Sequence, residues 1–229
     1  MKKIVGIVSP ATLYTTASTN DDRYNFGNNY GKRIVEAGGI PAGVLPVDGN
    51  VSDEMLDAFD SFIICGGHQI LPYHLQVVDY AVRNSKPLLG ICMGLQTIHC
   101  WFRLKEEMER TDFQGSMYQL YEKMDPELLT RVEGHILSTS AFARNDADIV
   151  KQTVGVLPNT HLARLLNSDQ VSAISYHSYQ ANQPSPHLII SARAEDGTVE
   201  GLEYSDHILG VQFHPEADDT LLPLFRFLV

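Results

Sequence analysis

Short apolar runs alternate along the chain with longer stretches in which apolar positions recur every three or four residues. Ile4–Val8 is a compact run of strand formers that stops before Pro10, the mark of a buried strand. Asn28–Ala37 carries Ile34, Val35 and Ala37 at helical spacing and halts at Gly38-Gly39, a helix C-cap signal. Ile40–Leu45 predicts a second strand. Val51–Phe59 predicts a short helix opened by Ser52 or Asp53. Ser61–Cys65 predicts a third strand ending in Gly66-Gly67, and Leu75–Arg83 a helix. A fourth strand, Pro87–Ile91, runs straight into Cys92. The helix beginning at Gly94 presents Leu95, Ile98 and Trp101, and the charged stretch Leu104–Arg110 reads as a solvated helix end. Residues 125–160 show no firm period. Beyond them Val171–Tyr176, His187–Ala194, Thr198–Tyr204 and Ile208–Phe213 predict strands. Asp196-Gly197 marks a hairpin between the second and third of these, and Asp218–Val229 reads as a closing helix.

Strands and helices alternating at this spacing imply a parallel sheet with helices on both faces. The unbroken apolar strands agree, because parallel strands are buried on both sides. The expected class is therefore α/β: a mostly parallel central sheet, helices on both faces and an antiparallel C-terminal β portion, all in one domain over residues 1–229. There is no repeat or linker.

Composition narrows the function classes. The 229 residues carry a net charge of −11, so no uniform field draws the chain to nucleic acid or anionic lipid. No stretch approaches the ~18 apolar residues of a spanning helix, and the run after Lys2-Lys3 is too short for a signal peptide. The three cysteines are odd in number and lack a C-x-x-C spacing, which points to a reducing, cytoplasmic setting. Cys65, Cys100 and Trp101 read as core residues. Asp21-Asp22, in the polar loop from Thr12 to Asn29, reads as solvated. His135, His161, His187 and His207 have no paired ligand pattern, so no metal is expected.

Three features carry chemistry. In Gly90-Ile91-Cys92-Met93-Gly94 a cysteine sits between a buried strand and a helix, with a glycine two residues to each side. That is the pattern of a nucleophile elbow, in which a sharp turn lifts the side chain above the sheet and close packing requires glycine. The helix dipole favours a thiolate there. In Gln212-Phe213-His214-Pro215-Glu216 a histidine and a carboxylate lie at a strand end, where a thiol nucleophile needs a base and the base needs a carboxylate to fix its tautomer. Gly66-Gly67 ends the neighbouring strand, where a backbone N–H can face a developing oxyanion; the N–H of Met93 would be the second donor. Together these residues predict acyl transfer by a cysteine nucleophile.

Gly-Ile-Cys-Met-Gly-Leu-Gln followed much later by Val-Gln-Phe-His-Pro-Glu resembles the class I glutamine amidotransferase superfamily. Within it the chain most resembles the γ-glutamyl-γ-aminobutyrate hydrolase (γ-glutamyl peptidase) family. The likeness extends over most of the chain: Tyr30 with Glu36–Pro41, Phe59-Asp60, Gly66-Gly67 through Pro72, residues 154–162 and residues 193–201. The resemblance implies the flavodoxin-like fold of that superfamily. It implies Cys92 as nucleophile, His214 as base and Glu216 as orienting carboxylate, with Gly66, Gly67 and Met93 as the oxyanion backbone. Gln96 would contact the γ-glutamyl group, and Tyr176, His177, Ser178 and Tyr179 would hold its α-amino and α-carboxyl end. The implied reaction is hydrolysis of a small γ-glutamyl amide, such as γ-glutamyl-GABA, through a γ-glutamyl thioester, with no metal or organic cofactor.

The departures from the family pattern cluster around the substrate. His68 and Gln69 stand where that family has a third glycine and an aspartate, and His74 stands where it has an acidic residue. Ile174–Tyr179 replaces Asn-Ser-x-His-His-Gln, and its Tyr-His-Ser run is closer to the glutaminase subunit of anthranilate synthase. About a dozen extra residues around Leu104–Phe113 would lengthen a helix and reshape the mouth of the site. Three readings follow: a stand-alone γ-glutamyl amide hydrolase, compatible with a homodimer; a glutaminase subunit that passes ammonia to a separate synthase; and an inactive binding or regulatory protein on the same fold.

Overall fold

The computed structural model describes residues 1–12, 23–136 and 150–229; the Asp21-Asp22 expectation lies outside them. The elements in chain order are strands β1 (Ile4–Val8), β2 (Ala11–Thr12) and β3 (Arg23–Tyr24), helix α1 (Asn28–Ala37), β4 (Ile40–Gly43), α2 (Asp53–Leu56), β5 (Ser61–Ile64), α3 (Pro72–Arg83) and β6 (Leu88–Ile91). Then come α4 (Met93–Thr111), α5 (Met117–Leu128), β7 (Leu129–Arg131), β8 (Lys151–Val156), α6 (His161–Leu166), β9 (Gln170–Ile174) and β10 (Tyr179–Ala181). Strands β11 (Ile189–Ala194), β12 (Val199–Tyr204) and β13 (Ile208–Val211) and the one-turn helix α7 (Pro223–Arg226) complete the chain.

Nine strands form the main sheet in the order β4-β1-β5-β6-β13-β12-β11-β8-β9. The first five pair in parallel and the remaining pairs are antiparallel, as the α/β reading expects. Strands β5, β6 and β13 are buried along their whole length. One core packs α3, α4 and α5 on one face, around Tyr73, Val77, Ile98 and Leu120. The other packs α1, α6 and α7 on the opposite face, around Ile34, Leu162 and Phe225. The carboxyl ends of β1, β5, β6 and β13 therefore lie side by side, and α1 and α3 leave them on opposite faces. In such sheets the crevice at this end is where a site is built.

Several expectations change. The closing helix over Asp218–Val229 is one helical turn, α7, preceded by 3₁₀ turns at Pro215–Ala217 and Asp219–Leu221. Pro223 lacks an N–H and its ring crowds the preceding turn, so a helix running through it from Asp218 would be costly, and α7 starts at Pro223 instead. Helix α5, not read from periodicity, opens with a capping box in which the Ser116 hydroxyl accepts from the Gln119 N–H and the Ser116 N–H donates to Gln119 Oε1. Residues 104–111 do lengthen α4. At about 1.5 Å per residue that helix carries them roughly 18 Å or more along its axis from Cys92, so they do not shape the mouth of the site.

Candidate active site

Cys92 links β6 to α4 with φ 54° and ψ −106°, a left-handed backbone unusual for a non-glycine residue. The turn is locked on both sides. The Cys92 N–H donates to the Val211 carbonyl at 2.8 Å, and its carbonyl accepts from the Gln96 N–H. The flanking glycines are steric necessities. A Cβ on Gly94 would lie 2.3 Å from the Ile64 carbonyl oxygen, and one on Gly90 would lie 2.5 Å from the Gly94 backbone. The expected elbow is present, and it places the thiol at the N-terminus of a 19-residue helix.

Strand β13 delivers His214 beside it. Pro215 then starts a 3₁₀ turn that curls Glu216 back, so that Glu216 Oε1 lies 2.7 Å from His214 Nδ1. Both side chains are buried. Arg33 on α1 anchors the turn by donating to the Glu216 carbonyl. With Nδ1–H held by the carboxylate, Nε2 is the nitrogen left for the thiol. Burial works against a charged imidazole, but the charges of Glu216 and Cys92 and the hydrogen bonds to both hold His214 well above its ordinary pKa. Glu216→Gln removes the first of those charges. His214 should then titrate at lower pH, which the pH dependence of Cys92 alkylation reports, and turnover should fall roughly 10²–10⁴-fold.

The Gly66-Gly67 loop meets the pair. A Cβ on Gly66 would sit 2.9 Å from His214 Cε1 and 3.5 Å from Cys92 Cβ, and one on Gly67 would sit 2.9 Å from Met93 Sδ. One expectation is modified here: the Gly66 N–H donates to the Tyr30 hydroxyl at 3.0 Å, so it serves an oxyanion only if that hydroxyl yields. Tyr30 projects from α1 and is buried. Burial, with the charges of Glu216, Cys65 and Cys92, keeps its phenol protonated well beyond the usual range. Periodicity gives no hint of this contact, because the partners are 36 residues apart. The available signal is position: the helix after the first strand starts at the carboxyl ends.

The segment Tyr176–Tyr179 crosses in front. The Cys92 thiol donates to the Tyr176 carbonyl at 3.8 Å. Gln96 Nε2 donates to the Tyr179 carbonyl at 2.9 Å and to Gln212 Oε1 at 3.2 Å, so its amide nitrogen is committed to holding this segment. Ser178 and Tyr179 line the cavity. His177 lies on the same wall, but its side chain is 1% exposed and packs against Glu200 at 3.3 Å. His135, expected to be solitary, stands there too, 3.4 Å from Glu200. It is flanked by two carboxylates, Glu200 and Asp196, and their hydrogen bonds raise its pKa to about 9 against the opposing effect of burial. His68 and Gln69 are exposed on the cavity wall. His74 packs against Tyr73 instead, and burial pushes its pKa down to about 3, so it is neutral. Cys65, Cys100 and Trp101 are core residues as expected.

The cavity above Cys92 has a volume of about 1000 Å³. Phe26, Ile136 and Tyr179 on its wall are 43%, 50% and 48% exposed. Among the described residues no helix is long and apolar enough to cross a membrane.

Known proteins resemble this chain in sequence and in fold. A glutamine amidotransferase-like protein of Rickettsia prowazekii is 28% identical, with 90% of this chain and 88% of that protein covered. A CTP synthase of Thermotoga maritima is 29% identical over 76% of this chain, which corresponds to 36% of the synthase. The structure of a GMP synthase component from Thermoplasma acidophilum superposes with a TM-score of 0.64 at 17% identity, covering 100% of this chain and 92% of that one. A glutamine amidotransferase of Thermotoga maritima superposes with a TM-score of 0.59 at 14% identity, covering 94% of this chain and 77% of that one. Both show the shared fold. The Peptidase C26 family model matches residues 3–80 and 73–216. The chain is thus a class I glutamine amidotransferase-like protein of the Peptidase C26 family.

Proposed function

We propose that this protein hydrolyses γ-glutamyl amides without the help of a synthase partner. The observation that carries the reading is the convergence of Cys92, a carboxylate-oriented His214 and the Gly66-Gly67 loop on one open cavity. Cys92 Sγ attacks the γ-carbonyl carbon. His214 takes the thiol proton and returns it to the departing amine as the C–N bond breaks. The N–H groups of Gly67 and Met93 receive the oxyanion. Water, deprotonated by His214, then cleaves the γ-glutamyl thioester, and free glutamate leaves with the thiol restored. Glu216 keeps His214 in register throughout.

The cavity volume favours an amine larger than ammonia as leaving group, since the glutamyl head fills only part of the space. A second reading has its own support. The exposed apolar side chains at the cavity mouth suit a docked protein, and the CTP synthase relative is a synthase of which this chain matches only a part. Under that reading the chain is a glutaminase that feeds a separate synthase.

Free glutamate measured after incubation with glutamine and a panel of γ-glutamyl amines separates the two. Turnover of the γ-glutamyl amines by the purified chain alone is the expected result. Inertness toward the whole panel would sink the stand-alone reading; if Cys92 were still labelled, the partner-dependent glutaminase would stand in its place. A glutamine-mimicking diazo ketone should label Cys92 alone. Burial pushes the Cys65 and Cys100 thiols up, away from the reactive thiolate, and peptide mapping that found label on either would count against the assignment.

A further inference from the structure

Behind the Tyr176–Tyr179 segment lies a cluster that the proposed reaction does not use. We propose that His135, His177 and Glu200 bind one divalent ion of the zinc class. Their ligating atoms all lie within 4.8 Å of one another, and all three residues are buried. Glu200 Oε1 is 3.4 Å from His135 Nδ1 and 3.3 Å from His177 Nε2. Charge-assisted N–H···O bonds normally close to about 2.7–2.9 Å, as His214 and Glu216 do at 2.7 Å in this same chain. The longer spacings match the edge of a tetrahedron around a zinc ion, roughly 3.3–3.4 Å for bonds of about 2.0–2.1 Å.

The surroundings agree. A histidine that ligates a metal ordinarily donates its other ring N–H to a carboxylate or a backbone carbonyl. His135 Nε2 lies 3.0 Å from Asp196 Oδ2, and His177 Nδ1 lies 3.0 Å from the Tyr179 carbonyl. A carbonyl only accepts, so His177 carries its proton on Nδ1. That leaves Nε2 as the ring atom that faces Glu200 Oε1. Gln152 donates to Glu200 Oε1, while Glu200 Oε2 is buried with no hydrogen-bond partner among the described residues. Two imidazoles and a carboxylate suit zinc better than magnesium or calcium, which prefer oxygen. The ion would tie Glu200 on β12 to the segment whose carbonyls touch Cys92 and Gln96. It would brace the site without entering the reaction, so this inference stands apart from the identity of the substrate.

The test uses the full chain, treated with chelator and with Cys92 alkylated so that its thiolate cannot compete for metal. Zinc is titrated against a chromophoric chelator. The expected result is one zinc per chain and a higher Tm on loading. Cobalt should give visible d–d bands without a thiolate charge-transfer band. Glu200→Gln should abolish binding. Asp196→Asn should weaken it about 10–100-fold; that side chain is 54% exposed on a hairpin, so its loss does not threaten the fold. The proposal is overturned if the alkylated chain binds no stoichiometric zinc, if binding requires free Cys92, or if Asp196→Asn leaves the affinity unchanged. Any of these would leave the cluster held by protons alone.

Discussion

Replacing Cys92 with alanine is expected to remove turnover of γ-glutamyl substrates by a factor on the order of 10⁴ or more, the scale seen when a covalent nucleophile is deleted. Neither of the other two cysteines can take its place. Cys65 and Cys100 are buried, with thiols held protonated. The fold should barely change: alanine keeps the Cβ, and the backbone bonds that lock the turn, from the Cys92 N–H to Val211 and from the Gln96 N–H to Cys92, involve no side chain. Unchanged circular dichroism and a Tm close to wild type, with glutamate release at background, is the expected pair of results. Activity retained by this variant would end the nucleophile assignment.

The second large effect is on stability. Gly94→Ala drives a methyl group to 2.3 Å from the Ile64 carbonyl oxygen and 3.1 Å from its carbon. Those atoms belong to the backbone of β5, which is paired to β1 and β6 on either side and cannot swing aside as a flexible side chain would. Overpacking of a core costs about 1–3 kcal/mol and sometimes more, and here the upper end applies because the obstacle is main chain. At roughly 2–4 °C per kcal/mol for a chain of this size, the expected fall in Tm is about 6–12 °C. Gly155→Ala is the matched control. Its methyl group would meet nothing closer than the Arg193 carbonyl oxygen at 3.6 Å, so its Tm should stay near wild type. Equal Tm values for the two variants would mean that the elbow is not packed as described.

These two expectations rest on features legible in the sequence for the same physical reason. A nucleophile raised on a tight strand-to-helix turn demands small neighbours, so Gly90 and Gly94 announce Cys92. His214 and Glu216 announce themselves by residue type at a strand end. The parallel half of the sheet is readable because β5, β6 and β13 are buried on both faces and so lack polar alternation. What escapes is whatever depends on partners distant in the chain. The reach of Tyr30 to Gly66 and the packing of His177 against Glu200 leave no local trace. The closing segment misleads because its apolar positions fit a helical spacing while Pro223 favours a helix start in the middle of it. Strand β8 is hidden because only Val154 and Val156 are buried along it, too few positions to set a period.

A covalent γ-glutamyl thioester at Cys92 is the central step of the proposed reaction. The most direct test is to mix the purified chain with a γ-glutamyl amide, quench in acid within the first turnovers and map the digested protein by mass spectrometry. The expected result is a glutamyl adduct on the peptide that contains Cys92, absent from Cys92→Ala and discharged by hydroxylamine. Sustained glutamate release with no adduct on that peptide, or with an adduct on Cys65 or Cys100, would contradict it.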